Sequence, residues 1–148
     1  MSARSLDEGV VRNKLDAIDR AVTTLQSIAP LDAERLNHDA VTAAAVERLT
    51  CRMIELAVDV NTHIGAAVLG RAPENYRESF ELLAQAGALT GEVLEKIKPS
   101  VGLRNTIVHE YITIDYTIVA AAVPLALETY TEYRHQVASF VYERTKRG

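Results

Sequence analysis

Arg104-Asn105-Thr106-Ile107-Val108-His109-Glu110-Tyr111 lies near the end of a helical pattern and sets the reading of the whole chain. Over residues 94 to 108, apolar side chains stand at Leu94, Ile97, Val101 and Val108. Alternating steps of three and four mark the stripe of a helix that packs along one side. The missing member of that stripe is position 104, and it is an arginine. Asn105 and His109 are four apart and so lie side by side on the neighbouring face. A guanidinium, an amide and an imidazole are therefore expected on or beside a face that should be buried. Polar groups in such a place need partners, and a substrate can supply them.

The rest of the chain predicts helices around this one. Ser5-Leu6-Asp7-Glu8 has the form of a capping box, with Ser5 at the N-cap. It opens a helix whose inward residues are Val11, Leu15, Ile18, Val22, Leu25 and Ile28, stopped by Pro30. Leu31 to Asp39 is a polar connection with room for one helical turn, and His38 in it is expected to be exposed. A second long helix is predicted from Ala40 to Leu69 with the stripe Val41, Ala45, Leu49, Met53, Leu56, Val60, Ile64 and Ala67, ended by Gly70 to Pro73. Within it Asp59 and His63 are four apart. They form either a surface ion pair or a functional pair that holds a second subunit or orients a catalytic group.

A third helix is expected from Glu74 to Ala88, with Tyr76, Phe80, Leu83 and Gly87 inward. The motif helix begins near Thr90 or Glu92 and carries Pro99. That proline either kinks it or splits it into 92–98 and 100–110, with Ser100 as N-cap of the second piece. Ile112 to Asp115 has no strand to pair with and reads as a loop. Asp115 then caps a last helix from Tyr116 to about Arg144, kinked near Pro124, with Val119, Val123, Leu127, Tyr130, Val137 and Val141 inward. His135 in this helix is expected in solvent. The fold class is all-α: about five helices in an up-and-down bundle, one domain over residues 1–148, packed at about 20°.

Composition narrows the function. Net charge is −4 at pH 7, so any nucleic-acid contact must use a local basic patch and not a global field. Cys51 is the only cysteine, which excludes an intrachain disulfide; it falls in an apolar helical segment and reads as a small core residue. No Cys/His cluster has zinc spacing, and neither a metal nor a cofactor is expected. The N-terminal residues lack the apolar run of a secretory signal. The longest uncharged run, Tyr116 to Leu127, falls short of the ~20 residues that span a bilayer. The expected location is the cytoplasm.

The motif Arg-x4-His-x-Tyr, here Arg104, His109 and Tyr111, resembles the signature of the HepT-type toxins of the HEPN superfamily of ribonucleases. Gly102 and Leu103 before the arginine, Ile112 to Asp115 after the tyrosine, and Asn61-Thr62-His63-Ile64 on an upstream helix that also carries an acid fit the same likeness. It runs from about residue 40 onward. The resemblance implies a homodimer whose motifs line a shared cleft, an endoribonuclease that is the toxin of a type VII HEPN/MNT toxin–antitoxin pair, and silencing by AMP transfer to Tyr111 from an MntA-like minimal nucleotidyltransferase.

The residues themselves suit RNA cleavage without a metal. The 2′-hydroxyl attacks the adjacent phosphate, and charge builds on the phosphoryl oxygens. An imidazole titrates near pH 6.5, so His109 can act as base or acid. Arg104 can hold two phosphoryl oxygens and never loses its charge. Asn105 can donate to a phosphate or fix the imidazole. One helix supplies one histidine; a two-fold dimer supplies two, one for each proton transfer. Positions 104 and 109 are roughly 140° apart around an ideal helix. They meet only if the arginine wraps back or a second subunit contributes one of them. AMP on Tyr111 would put a phosphate at the substrate's anion site.

Two further readings stay open. In one, the chain is a non-catalytic helical subunit of a nucleotidyltransferase complex, with Arg104 and Asn105 binding a nucleotide phosphate. In the other, it is a plain helical dimer whose buried polar residues set the register.

Overall fold

The computed structural model describes residues 5–109 and 113–146, which form six α-helices and one π-helical turn with no strand among them. They are α1 (Glu8–Ile28), α2 (Ala33–His38), α3 (Ala40–Ile64), the π turn Gly65–Leu69, α4 (Tyr76–Gln85), α5 (Gly91–His109) and α6 (Tyr116–Lys146). α1 packs on α3 and α6, α5 packs on α6, α4 and α3, and α2 closes the side against α6 and α3. One contiguous apolar core joins residues from all six helices.

Asp7, not Ser5, is the N-cap of α1: its carboxylate accepts from the amide of Val10 at 3.1 Å. The inward residues of α1 are as expected except Ile28, which is half-buried at the C-terminal end of the helix. The single turn allowed for in the 31–39 connection is α2, a sixth helix, capped by Asp32 and buried through Leu36. Asp39 caps α3; the Thr42 hydroxyl and amide both donate to its carboxylate and hold it below the usual range.

α3 departs most from the expected stripe. Val41 is 82 % exposed, and Ala45, Leu49, Leu56 and Ala67 are only half-buried. The buried positions include Ala43, Val46, Thr50, Ile54, Ala57 and Asn61. The reason is that α3 is covered on two sides, by α1 and by α4 with α5, so a one-sided stripe misplaces its inward arc. Gly70 ends the π turn in the left-handed region (φ +66°), a conformation that suits glycine.

α4 starts at Tyr76, two residues later than expected, because Asn75 is its N-cap and accepts from Glu78 N at 2.8 Å. Gly87 is exposed and not inward. It has φ +89°, and with the Gly87 N–Ala84 O and Ala88 N–Leu83 O bonds it closes a Schellman motif.

Pro99 does not split α5, which runs unbroken from Gly91 to His109. Ser100 is therefore no N-cap. It is buried, donates to Ile97 O at 2.6 Å and meets the Tyr130 hydroxyl at 2.9 Å, which ties the proline turn to α6. Asp115 starts α6 as expected, accepting from Thr117 N at 3.0 Å.

Polar groups also cross the core. The Tyr133 hydroxyl on α6 donates to Asn61 Oδ1 on α3 at 2.7 Å. Asn61 Nδ2 donates to Ser79 Oγ on α4 at 3.1 Å, and Ser79 Oγ donates to Tyr76 O at 2.7 Å. Burial pushes the Tyr133 phenol well above its ordinary pKa, so it stays a donor. Tyr133→Phe removes that donor and leaves the buried Asn61 carbonyl short of a partner. The expected cost is about 1–3 kcal/mol in urea unfolding; an unchanged midpoint would show that the network does not stabilise the fold.

Candidate functional site

Arg104 sits on the buried side of α5, in line with Ile97 and Val101, as the stripe predicted. Its long side chain is only 20 % exposed and leans toward α3 and α4. Nη2 lies 3.5 Å from Glu55 Oε2 on α3, and Cζ stands 4.8 Å from the centre of the Tyr76 ring on α4. Nη1 donates weakly to Asn105 Oδ1 at 3.4 Å. Nε is buried and has no acceptor among the described residues. Nε is closed off from solvent, so a ligand would meet the two Nη groups, each of which has a second N–H beyond its long contact to Asn105 or Glu55.

Asn105 and His109 lie one turn apart and are exposed. The structure brings Asn105 to Arg104 but does not bring His109 there: α5 stays helical to His109, and no hydrogen bond joins the two among the described residues. The five-residue spacing, roughly 140° on the helix, accounts for this. Tyr111 lies outside the described residues.

Glu55 and Tyr76 were not singled out as site residues in the sequence. Glu55 carried a signal, a lone acid inside Met53-Ile54-Glu55-Leu56-Ala57-Val58. Such a residue on a largely apolar segment needs a cation. Tyr76 was read only as an inward residue; nothing local says that its ring lies under a guanidinium. The neighbouring Cys51 is buried, and burial first, then the Glu55 charge, push its thiol up, so it is a poor nucleophile.

Asp59 and His63 do not pair with each other. Asp59 meets Lys14 at 3.4 Å, and His63 Nε2 accepts from Asp7 N at 3.0 Å. Both fasten α3 to α1, away from the motif. His38 and His135 are exposed, as expected. Among the described residues no group of three or more His, Cys, Asp or Glu side chains is placed to hold a metal ion, and no helix is long and apolar enough to cross a membrane.

Two hollows are relevant. A groove of ≈ 460 Å³ is lined by Asn75, Tyr76, Arg77, Val101, Arg104 and Asn105. A larger one, ≈ 580 Å³, lies at the other end of α5, around Thr90, His135 and Phe140. A still larger one, ≈ 670 Å³, lies elsewhere, around Pro30 and Pro124, but the first is the one lined by motif residues, Arg104 and Asn105, so chemistry favours it.

Comparison with known proteins agrees with the all-helical fold. Residues 18–137 match the family described as Ribonuclease HepT-like. The chain is 30 % identical over 138 residues to the tRNA nuclease HepT of Aphanizomenon flos-aquae, covering 93 % of each. It is 29 % identical over 124 residues to the mRNA nuclease HepT of Shewanella oneidensis, covering 84 % of this chain and 92 % of that one. In three dimensions it is similar to a tri-AMPylated HEPN toxin of Shewanella oneidensis in complex with MNT antitoxin. The TM-score is 0.78 at 28 % identity, over 88 % of this chain and 97 % of the toxin. The chain belongs to the HepT-like ribonuclease family.

Proposed function

We propose that this HepT-like chain is a cytoplasmic, metal-independent endoribonuclease and the toxin of a toxin–antitoxin pair. It acts as a single helical domain in a homodimer. A minimal nucleotidyltransferase of the MNT type is its antitoxin and silences it by AMP transfer to Tyr111.

The observation that carries this reading is Arg104: half-buried, held by Glu55 and Tyr76, and lining a groove with a second N–H on each Nη beyond its long contact to Asn105 or Glu55. A fixed guanidinium with spare donors suits the charge that develops on a phosphorane. His109 is the general acid or base, one from each protomer, and Asn105 donates to a phosphoryl oxygen. One protomer takes the proton from the 2′-hydroxyl and the other returns one to the 5′-oxygen, which leaves a 2′,3′-cyclic phosphate. The relatives support the partner and the silencing: a toxin of this family is found with MNT antitoxin and in AMPylated form. Tyr111 follows His109 by two residues, so AMP there would bring a phosphate close to the substrate's anion site.

The test uses purified protein whose Tyr111 is shown unmodified by mass spectrometry. It should cut single-stranded RNA in excess EDTA and leave 2′,3′-cyclic phosphate ends. Loss of cleavage in EDTA, restored by magnesium, would overturn the metal-independent chemistry. No cleavage of any RNA by the unmodified protein would leave the nucleotide-binding subunit as the better reading.

A further inference from the structure

The groove beside Arg104 has a chemistry of its own. Its volume of ≈ 460 Å³ falls in the ~300–1,000 Å³ range of small-molecule sites. The Arg104 guanidinium lies over the Tyr76 ring, its Cζ 4.8 Å from the ring centre, so the two already form a cation–π pair. Asn75 uses Oδ1 to cap α4, and Asn105 uses Oδ1 toward Arg104, so each has its side-chain NH2 left to donate. Arg77 stands exposed at the rim. The lining side chains thus offer two guanidinia, two amide donors and an aromatic ring, with no carboxylate among them; Glu55 reaches only the far side, at Arg104 Nη2.

That set is complementary to a planar, acceptor-rich ring with a phosphate attached. We propose that the groove is the subsite for the nucleotide next to the scissile phosphate in single-stranded RNA. Its base lies against the Tyr76–Arg104 pair, its acceptor edge faces Asn75, and its own phosphate rests on Arg77. The proposal builds on the nuclease reading of Arg104 and His109. It gives the buried network a purpose as well. Tyr133, Asn61 and Ser79 end in a hydrogen bond to the Tyr76 carbonyl, which fixes the first turn of α4 and with it the ring. A stacking platform is useful only if it is rigid before the base arrives.

The test measures binding of a fluorescein-labelled, mixed-sequence single-stranded oligoribonucleotide by full-length protein carrying His109→Ala, over a series of salt concentrations. Arg77→Gln, Tyr76→Leu and Tyr76→Phe are added to that background and, separately, to the uncut natural sequence for cleavage. Arg77→Gln should reduce the steepness of log affinity against log salt by about 0.7, the value of one phosphate contact on a single strand. Tyr76→Leu should weaken binding about 10-fold with the salt slope unchanged, and Tyr76→Phe should bind within about twofold of its parent, as loss and retention of one stacked base predict. Arg77→Gln and Tyr76→Leu should raise KM for cleavage more than they lower kcat, while Tyr76→Phe should cut like its parent. Arg77 is exposed, so that arm does not depend on folding; thermal denaturation controls the Tyr76 arm. An unchanged salt slope in Arg77→Gln, or Tyr76→Leu binding like its parent, overturns the subsite. If the natural sequence cuts no RNA, the nuclease reading fails first. If it cuts while every variant binds and cuts like its parent, the subsite alone fails.

Discussion

His109→Ala should lower RNA cleavage by about 10²–10⁴-fold, the usual worth of a positioned general acid or base, and leave the folded state almost untouched. His109 is the last residue of α5, is exposed, and contributes nothing to the buried core. Substitutions at such positions move stability by about 0.5 kcal/mol or less, so the lost activity is not explained by lost fold. The pairing of a large kinetic effect with a small thermal one is what separates catalysis from structure. Cleavage rates on mixed RNA and denaturation midpoints, measured on the same preparations, give both. A variant that still cuts within tenfold of the natural sequence removes His109 from the reaction. A variant that loses both activity and several degrees of midpoint would instead assign it a structural task that its exposure does not suggest.

The fold was legible where helices have one wet side. α1 shows this: its stripe runs in clean steps of three and four, and five of its six inward residues are buried. α6 is similar, with all six expected positions buried. α3 was misread because it is sandwiched, which put the exposed Val41 on the inward list. Pro99 was ambiguous because a proline's missing amide says where a helix bond is lost, not whether neighbours keep the turn in place. Here Ser100, bonded to Ile97 and Tyr130, sits beside it. At the site, Arg104 was legible from its place on an apolar stripe, and the separation of His109 from it followed from helix geometry. The partners of Arg104 were not legible, since Glu55 and Tyr76 arrive from two other helices and only tertiary packing puts them there.

Arg104→Ala should cost about 10²–10³-fold in kcat, as does loss of one preorganised donor to a developing oxyanion. Its effect on the fold should be far smaller. The Glu55 pair is long at 3.5 Å and partly solvated, worth about 0–1 kcal/mol, and the contact with Tyr76 adds about 0.5–1 kcal/mol. A stability loss of roughly 0.5–2 kcal/mol still leaves a domain of ordinary stability folded, whereas the kinetic loss corresponds to about 2.7–4 kcal/mol. Two companions decide whether the guanidinium acts on RNA or only on its neighbours. Arg104→Lys keeps the charge but loses the planar fork that holds two oxygens, so it should recover much of the stability and less than about a tenth of the rate. Glu55→Gln removes the same ion pair and leaves the guanidinium in place. If Arg104 merely ties α5 to α3, Glu55→Gln reproduces Arg104→Ala in both stability and cleavage, and the structural reading wins. If it reproduces the small stability loss while cleavage stays well above that of Arg104→Ala, the guanidinium is needed at the phosphate, and its contact with Glu55 serves to keep it there.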